Sequence, residues 1–320
     1  MSIARGAAGK TMLDKAIKMA FIADALPSTL QIDPRNSREA VKALVDIHAT
    51  QSGLKKQGLR QSLLTVVTEH CLVEAEAERA VFKYRDIVGQ TLTNIRDDSS
   101  AEVVGCYEAT MDAMSKADIL WVFAPRPPAG GSQEEQDRYS TDIALHASYL
   151  GDALRRRGNQ HPAVVALVLA KADALFETEQ EARAKLTAEF LTRALGKLVN
   201  TVRVSQRAVE AAIFPVSAMG FGTAMPREGA GHPATVVGGG EDPFEHGEVE
   251  YILKPGEAMR PFNVAPLVVW SLLAALMQHD AEPAGEGESD MVRVCRMLLG
   301  DLEALGAWYV PLKGRLAPPR

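Results

Sequence analysis

The sequence predicts an α/β fold in which a mainly parallel sheet carries helices on both faces and includes one antiparallel hairpin strand. Three observations carry this prediction. Ile119-Leu120-Trp121-Val122-Phe123-Ala124 and Ala163 to Ala170 (AVVALVLA) are unbroken apolar runs, as strands buried on both faces require. Charged amphipathic stretches separate such runs, so strands and helices alternate along the chain. Leu63 to Glu74 and Arg79 to Asp86 read as two strands joined by the acidic turn Glu74-Ala75-Glu76-Ala77-Glu78, a hairpin that delivers Asp86 to the sheet's edge.

The remaining elements follow in order. Residues 11–25 carry a helical pattern directly after Gly9-Lys10-Thr11, and Ser37-Arg38-Glu39 opens a second one with Val41, Leu44, Val45 and His48 in phase. Ala101 to Lys116, Gln133 to Gly158 and Glu177 to Asn200 are helix-like, and Ala211 to Val216 is a short strand running into Ser217. Eight of the 25 glycines fall between Gly220 and Gly247, which marks a flexible insertion rather than core. Val264 to Met277 is the last apolar helix of a main domain spanning 1–280, with insertions at about 37–60 and 220–260. Residues 281–320 read as a linker, a short amphipathic helix (Met291 to Leu305) and a basic tail.

Composition narrows the function classes. The 320 residues suffice for one large α/β domain or two small ones, and 47% apolar with 24% charged residues is the profile of an ordinary globular chain. A net charge of −6 gives no whole-chain attraction to nucleic acid or anionic lipid, so neither is expected as a partner. The run Arg155-Arg156-Arg157 reads as a solvated helix face. Cys71, Cys106 and Cys295 are odd in number and widely spaced, and the seven histidines show no ligand spacing, which argues against a disulfide framework or a zinc site. No secretory signal precedes the first glycines, and the 14 residues from Val264 to Met277 are too few to span a bilayer. A cytoplasmic protein without a membrane span is expected.

Four short segments carry the chemistry. Ala4-Arg5-Gly6-Ala7-Ala8-Gly9-Lys10-Thr11 approximates the phosphate-binding pattern G-x-x-x-x-G-K-[ST], with Ala4 at the first glycine. Small residues, Gly6 and Gly9 among them, let backbone N–H groups surround phosphates, while Lys10 supplies a point charge and Thr11 a hydroxyl for Mg²⁺. In Asp86-Ile87-Val88-Gly89-Gln90, Asp86 would hold Mg²⁺ through its water shell. The Gly89 amide would sense a γ-phosphate, and Gln90 would orient an attacking water. Ala170-Lys171-Ala172-Asp173 is similar to the guanine-reading N-K-x-D, with Ala170 at the asparagine; Asp173 would accept hydrogen bonds from the ring N–H and the exocyclic amine. Ser217-Ala218 resembles the short element that backs up the base. Thr65, or else Thr68, would complete the metal shell. Each segment also has a plainer reading: a small-residue turn, a capping aspartate, an ordinary strand threonine.

Taken together and in this order, the segments resemble the P-loop GTPases of the Ras-like, translation-factor-related class over roughly residues 4–280. Within that class the chain most resembles bacterial GTPase domains associated with multi-gene conflict systems, whose final helix is matched by Asn263-Val264-Ala265-Pro266-Leu267 and Trp270. The resemblance implies a three-layer P-loop NTPase fold, GTP or GDP as ligand, Mg²⁺ as cofactor, and a protein effector or regulator as partner. It also implies a central strand before the phosphate loop, where only Met1-Ser2-Ile3 stand; the strand is read as missing and a longer N-terminus is expected. Three functions compete: a GTP-hydrolysing switch, a nucleotide-dependent interaction module with little hydrolysis, and an ATP-using P-loop enzyme.

Overall fold

The computed structural model describes residues 2–3, 13, 16–17, 67–71, 81–85, 101–125, 127–128, 132–158, 162–226, 251–254, 257–258, 260–279 and 290–316. At its centre lies a five-stranded sheet. Its strands are β1 (Ser2–Ile3), β4 (Ile119–Ala124), β5 (Ala163–Leu169), β6 (Ala208–Pro215) and β9 (Val310–Lys313), hydrogen-bonded in that order. β1, β4, β5 and β6 are parallel, and β9 runs antiparallel to β6. The strand read as missing ahead of the predicted phosphate loop is therefore present as a two-residue piece, Ser2 paired with Trp121 and Ile3 with Val122.

The apolar runs are buried on both faces, as their composition demands. Trp121, Phe123, Ala166, Val168, Ala212 and Phe214 face one core, against α6 (Val264–His279) and α7 (Asp290–Ala304). The helical positions Leu13, Ala16 and Ile17 lie in that same core. Leu120, Val122, Val165, Leu167, Ala211 and Ile213 face the other core, against α1 (Ala101–Ser115), α2 (Gln133–Arg156) and α3 to α5 (Glu179–Lys185, Ala188–Ala194, Gly196–Val204). Each fully buried aliphatic side chain contributes roughly 1.5–3 kcal/mol, so the alternation fixes the register of every strand.

Local chemistry sets the helix boundaries. Ser132 caps α2 through a reciprocal box with Glu135, whose carboxylate accepts from the Ser132 N–H at 2.7 Å. The stretch Glu177 to Asn200 forms three helices rather than one. Thr178 and Thr187 each accept a hydrogen bond from the backbone three residues on, and so start α3 and α4 afresh.

Two parts of the expected topology differ. β2 (Val67–Cys71) and β3 (Val81–Arg85) do form the hairpin, but as a two-stranded sheet of their own. The antiparallel strand of the main sheet is instead β9, which the sequence reading placed in a tail. β9 occupies the open edge of β6 and has that single neighbour. Pro311, lacking an N–H, suits an edge. Leu298, Leu302 and Tyr309 are buried in the first core, so residues 290–316 complete the main sheet and its cover. Within the glycine-rich insertion, β7 (Ala224–Pro226) pairs antiparallel with β8 (Tyr251–Leu253).

In the arginine run, Arg155 and Arg156 are exposed as expected, and Arg157 departs from expectation. Arg157 is 3% exposed, not solvated, and donates to the carbonyls of Pro162 at 3.0 Å and Met114 at 3.3 Å. Burial pulls its guanidinium down to about 10.

Candidate functional site

Parallel strands place their carboxyl ends along one edge, where open α/β sheets bind ligands. Here β5 ends at Leu169 opposite Pro215 of β6, so the segments that follow, Ala170 to Asp173 and Val216 to Gly220, emerge side by side. Backbone bonds join them: Val216 N–H donates to Leu169 O at 2.9 Å, and Ala172 N–H to Val216 O at 3.0 Å.

Lys171 leaves the strand in the left-handed conformation, φ 58° and ψ 41°, with its side chain exposed. The chain then enters a single 3₁₀ turn, Ala172–Ala174, which carries Asp173 half-buried. Ser217 is fully buried and its hydroxyl accepts from Gly220 N–H at 2.8 Å; it also lies close enough to the Asp173 carboxylate to favour that group's charged form. Burial pushes the Asp173 carboxyl above the usual carboxylate range. The Ser217 hydroxyl, the Asp173 backbone N–H and the charge of Lys171 pull against that rise. The outcome is a half-buried carboxylate beside a buried serine, at the strand edge.

Sequence reasoning missed the groups that hold Ser217. Its backbone exchanges two hydrogen bonds with Phe262, at 3.1 and 2.8 Å. Gly220, at φ 96°, admits no side chain, because a Cβ would lie 2.4 Å from Arg260 O. Thr223 then closes the turn on the carbonyls of Met219 and Gly220, at 2.9 and 3.0 Å. Only a glycine two residues after Ser-Ala hinted at this turn. Ala218 is half-buried against the first core.

Of the predicted site, the structure thus brings Lys171, Asp173, Ser217 and Ala218 together. Gly6, Gly9, Lys10, Thr11, Thr65, Asp86, Gly89 and Gln90 lie outside the described residues, as does the segment 37–60, whereas Thr68 lies within β2, opposite Tyr84 of β3. The pieces that flank the predicted phosphate loop are described: β1 runs parallel to β4, so its carboxyl end shares the edge, and Leu13, Ala16 and Ile17 follow on the α6 side of the sheet. A separate open cleft of about 500 Å³ lies between the α3–α4 junction and the Gly306–Pro311 segment, lined by Arg183, Thr187, Glu303 and Trp308. None of the four united site residues lines it.

Among the described residues no group of three His, Cys, Asp or Glu side chains gathers around a metal position. No helix among them is long and apolar enough to cross a membrane. Comparison of the chain with protein-family models, with curated proteins and with solved structures finds no match.

Proposed function

We propose that the chain is a guanine-nucleotide-binding protein with a P-loop NTPase fold, hydrolysing GTP to GDP and phosphate as a molecular switch in the cytoplasm. The observation that supports this reading most is the union of Asp173 with Ser217 at the shared carboxyl edge of β5 and β6. Those two residues come from segments 44 positions apart, each singled out for guanine recognition. On this reading Asp173 accepts from the guanine ring N–H and amine, Lys171 and Ala218 line the base, and Ser217 fixes the carboxylate. Lys10 and the amides around Gly6 and Gly9 stabilise charge spreading over the transferred phosphoryl group, and Gln90 orients the attacking water. Mg²⁺, with Thr11, Thr65 and Asp86 as the proposed ligands, would neutralise phosphate charge. A protein effector or regulator would read the Gly89-Gln90 segment in its two states.

A second reading, a nucleotide-dependent interaction module with little hydrolysis, has one observation in its favour. Ala170 stands where the N-K-x-D pattern has asparagine, and it packs into the first core with no polar group to offer the neighbouring segments. Phosphate release from GTP, compared between wild type and Gln90→Leu, separates the two. A measurable wild-type rate that falls at least tenfold in the variant supports the switch. Equal, negligible rates with GTP binding retained support the module.

A further inference from the structure

We infer that Asn263 is a positioning residue for guanine selectivity, making the C-terminal segment part of the base-recognition site. The inference rests on the guanine reading above and concerns how that selectivity is held.

Lys171 and Asn263, each at φ 58°, are the two non-glycine residues with left-handed backbone among the described residues. Such a conformation persists only where the surroundings hold it. Lys171 lies in the base-reading segment; Asn263 directly follows Phe262, which is paired with Ser217. The Asn263 side chain is buried and fully engaged. Its amide donates to Pro215 O at 2.9 Å, at the end of β6, and to Trp308 O. Its carbonyl accepts from Trp308 N–H at 3.2 Å. One side chain therefore ties the end of β6, the start of α6 and the C-terminal segment together.

Phe262 is held from the same side. It packs edge-on to Phe221, with ring centroids 5.1 Å apart, and against Trp308 at 5.9 Å. The Arg183 guanidinium lies over both Phe262 and Trp308. A continuous series of contacts thus runs from Trp308 through Asn263 and Phe262 to Ser217, and from Ser217 to the Asp173 carboxylate. Two parallel hydrogen bonds to guanine demand a carboxylate of fixed tilt, because a rotated one keeps a single bond. Asn263 sets that tilt without touching the base.

Inosine nucleotides lack the exocyclic amine and so report on the second of those bonds. The test is calorimetric titration of the full chain with GDP, IDP and ADP, each with Mg²⁺, for wild type and Asn263→Gly. Glycine keeps the left-handed backbone and removes the side chain together with its three hydrogen bonds. Wild type should prefer GDP over IDP by about tenfold or more, since the missing bond is to a charged acceptor. Asn263→Gly should bring that ratio toward one. A merely destabilised variant would lower its binding-competent fraction for both nucleotides alike and leave the ratio alone. A folded Asn263→Gly with the wild-type GDP/IDP ratio overturns the inference. A wild type that binds ADP as well as GDP overturns the guanine reading, and this inference with it. Should the glycine variant fail to fold, Asn263→Asp carries the same test. It tolerates the same backbone and keeps the acceptor for Trp308 N–H but loses the donor to both carbonyls. The ratio is again expected to fall, and an unchanged ratio again overturns the inference.

Discussion

The β5–β6 edge and the β2–β3 hairpin carry the two halves of the proposed site, and they are built on opposite terms. β5 and β6 sit inside a sheet covered on both faces, and their loops are joined by backbone bonds, a buried serine and a glycine with no room for a side chain. The hairpin pairs over five positions within its own two-stranded sheet, using strands of mixed polarity. The difference teaches where specificity and switching belong. On the proposed function, base selection calls for a firmly held carboxylate, and Asp173 directly follows a strand covered on both faces. Phosphate sensing needs a segment that can occupy two states, and a hairpin outside the main sheet is suited to that.

The comparison sharpens most at Phe214. This fully buried ring of β6 packs 5.2 Å from Trp270 and 5.0 Å from Tyr309, so it joins the sheet, α6 and the C-terminal segment. Phe214→Ala should cost about 3–5 kcal/mol in denaturant unfolding, a large share of a domain's stability. A loss under 1 kcal/mol would mean that this edge is not the rigid half. Gly220→Ala comes next. It forces both a left-handed alanine and a clash with Arg260 O, for about 1–3 kcal/mol, and GDP affinity should fall with it. Retained affinity and melting temperature would show that the Ser217 turn is adaptable.

A pH experiment probes the outer border of the same sheet. Glu210 of β6 is 6% exposed and accepts from Arg315 N–H at 2.6 Å beneath the Gly314 turn. Burial raises its carboxyl above 4.5, against the pull of the Arg315 and Leu316 N–H groups and the Arg315 charge. A raised folded-state value means that the fold favours the protonated form. The associated stability is fully present below 4.5 and is lost as pH rises through the raised value. Wild type should therefore gain stability relative to Glu210→Gln as pH is lowered from 7 toward 4.5; a flat difference would contradict the burial argument. The smallest effect is expected in the hairpin. Glu69 stands opposite Lys83, and Glu69→Lys sets like charges at one cross-strand position, for about 0.2–1 kcal/mol by thermal unfolding. A cost rivalling that of Phe214→Ala would erase the contrast.

What the sequence disclosed follows the same division. Ile119–Ala124 and Ala163–Leu169 were legible because an apolar run bounded by breakers has few other folds, α6 because its apolar run is of helix length, and α7 because its apolar positions hold phase. β9 was not legible. Its four residues, VPLK, include a proline and show no alternation, and they become a strand only because β6 leaves an edge open beside them. The attachment of the hairpin was equally hidden, since local pattern specifies a hairpin but not its neighbour. At the site, Asp173 and Ser217 were readable as chemistry. Asn263 was noticed only as part of a helix ending, because its role lies in contacts with Pro215 and Trp308, 48 and 45 positions away.

The central claim is that Asp173 selects guanine. Its most direct test is competition of GDP and ADP for the full chain with Mg²⁺, in wild type and in Asp173→Asn. The account predicts that wild type binds GDP at least tenfold more tightly than ADP and that Asp173→Asn abolishes this preference. Equal affinity for the two nucleotides in wild type, or a guanine preference that survives the loss of the carboxylate, would contradict it.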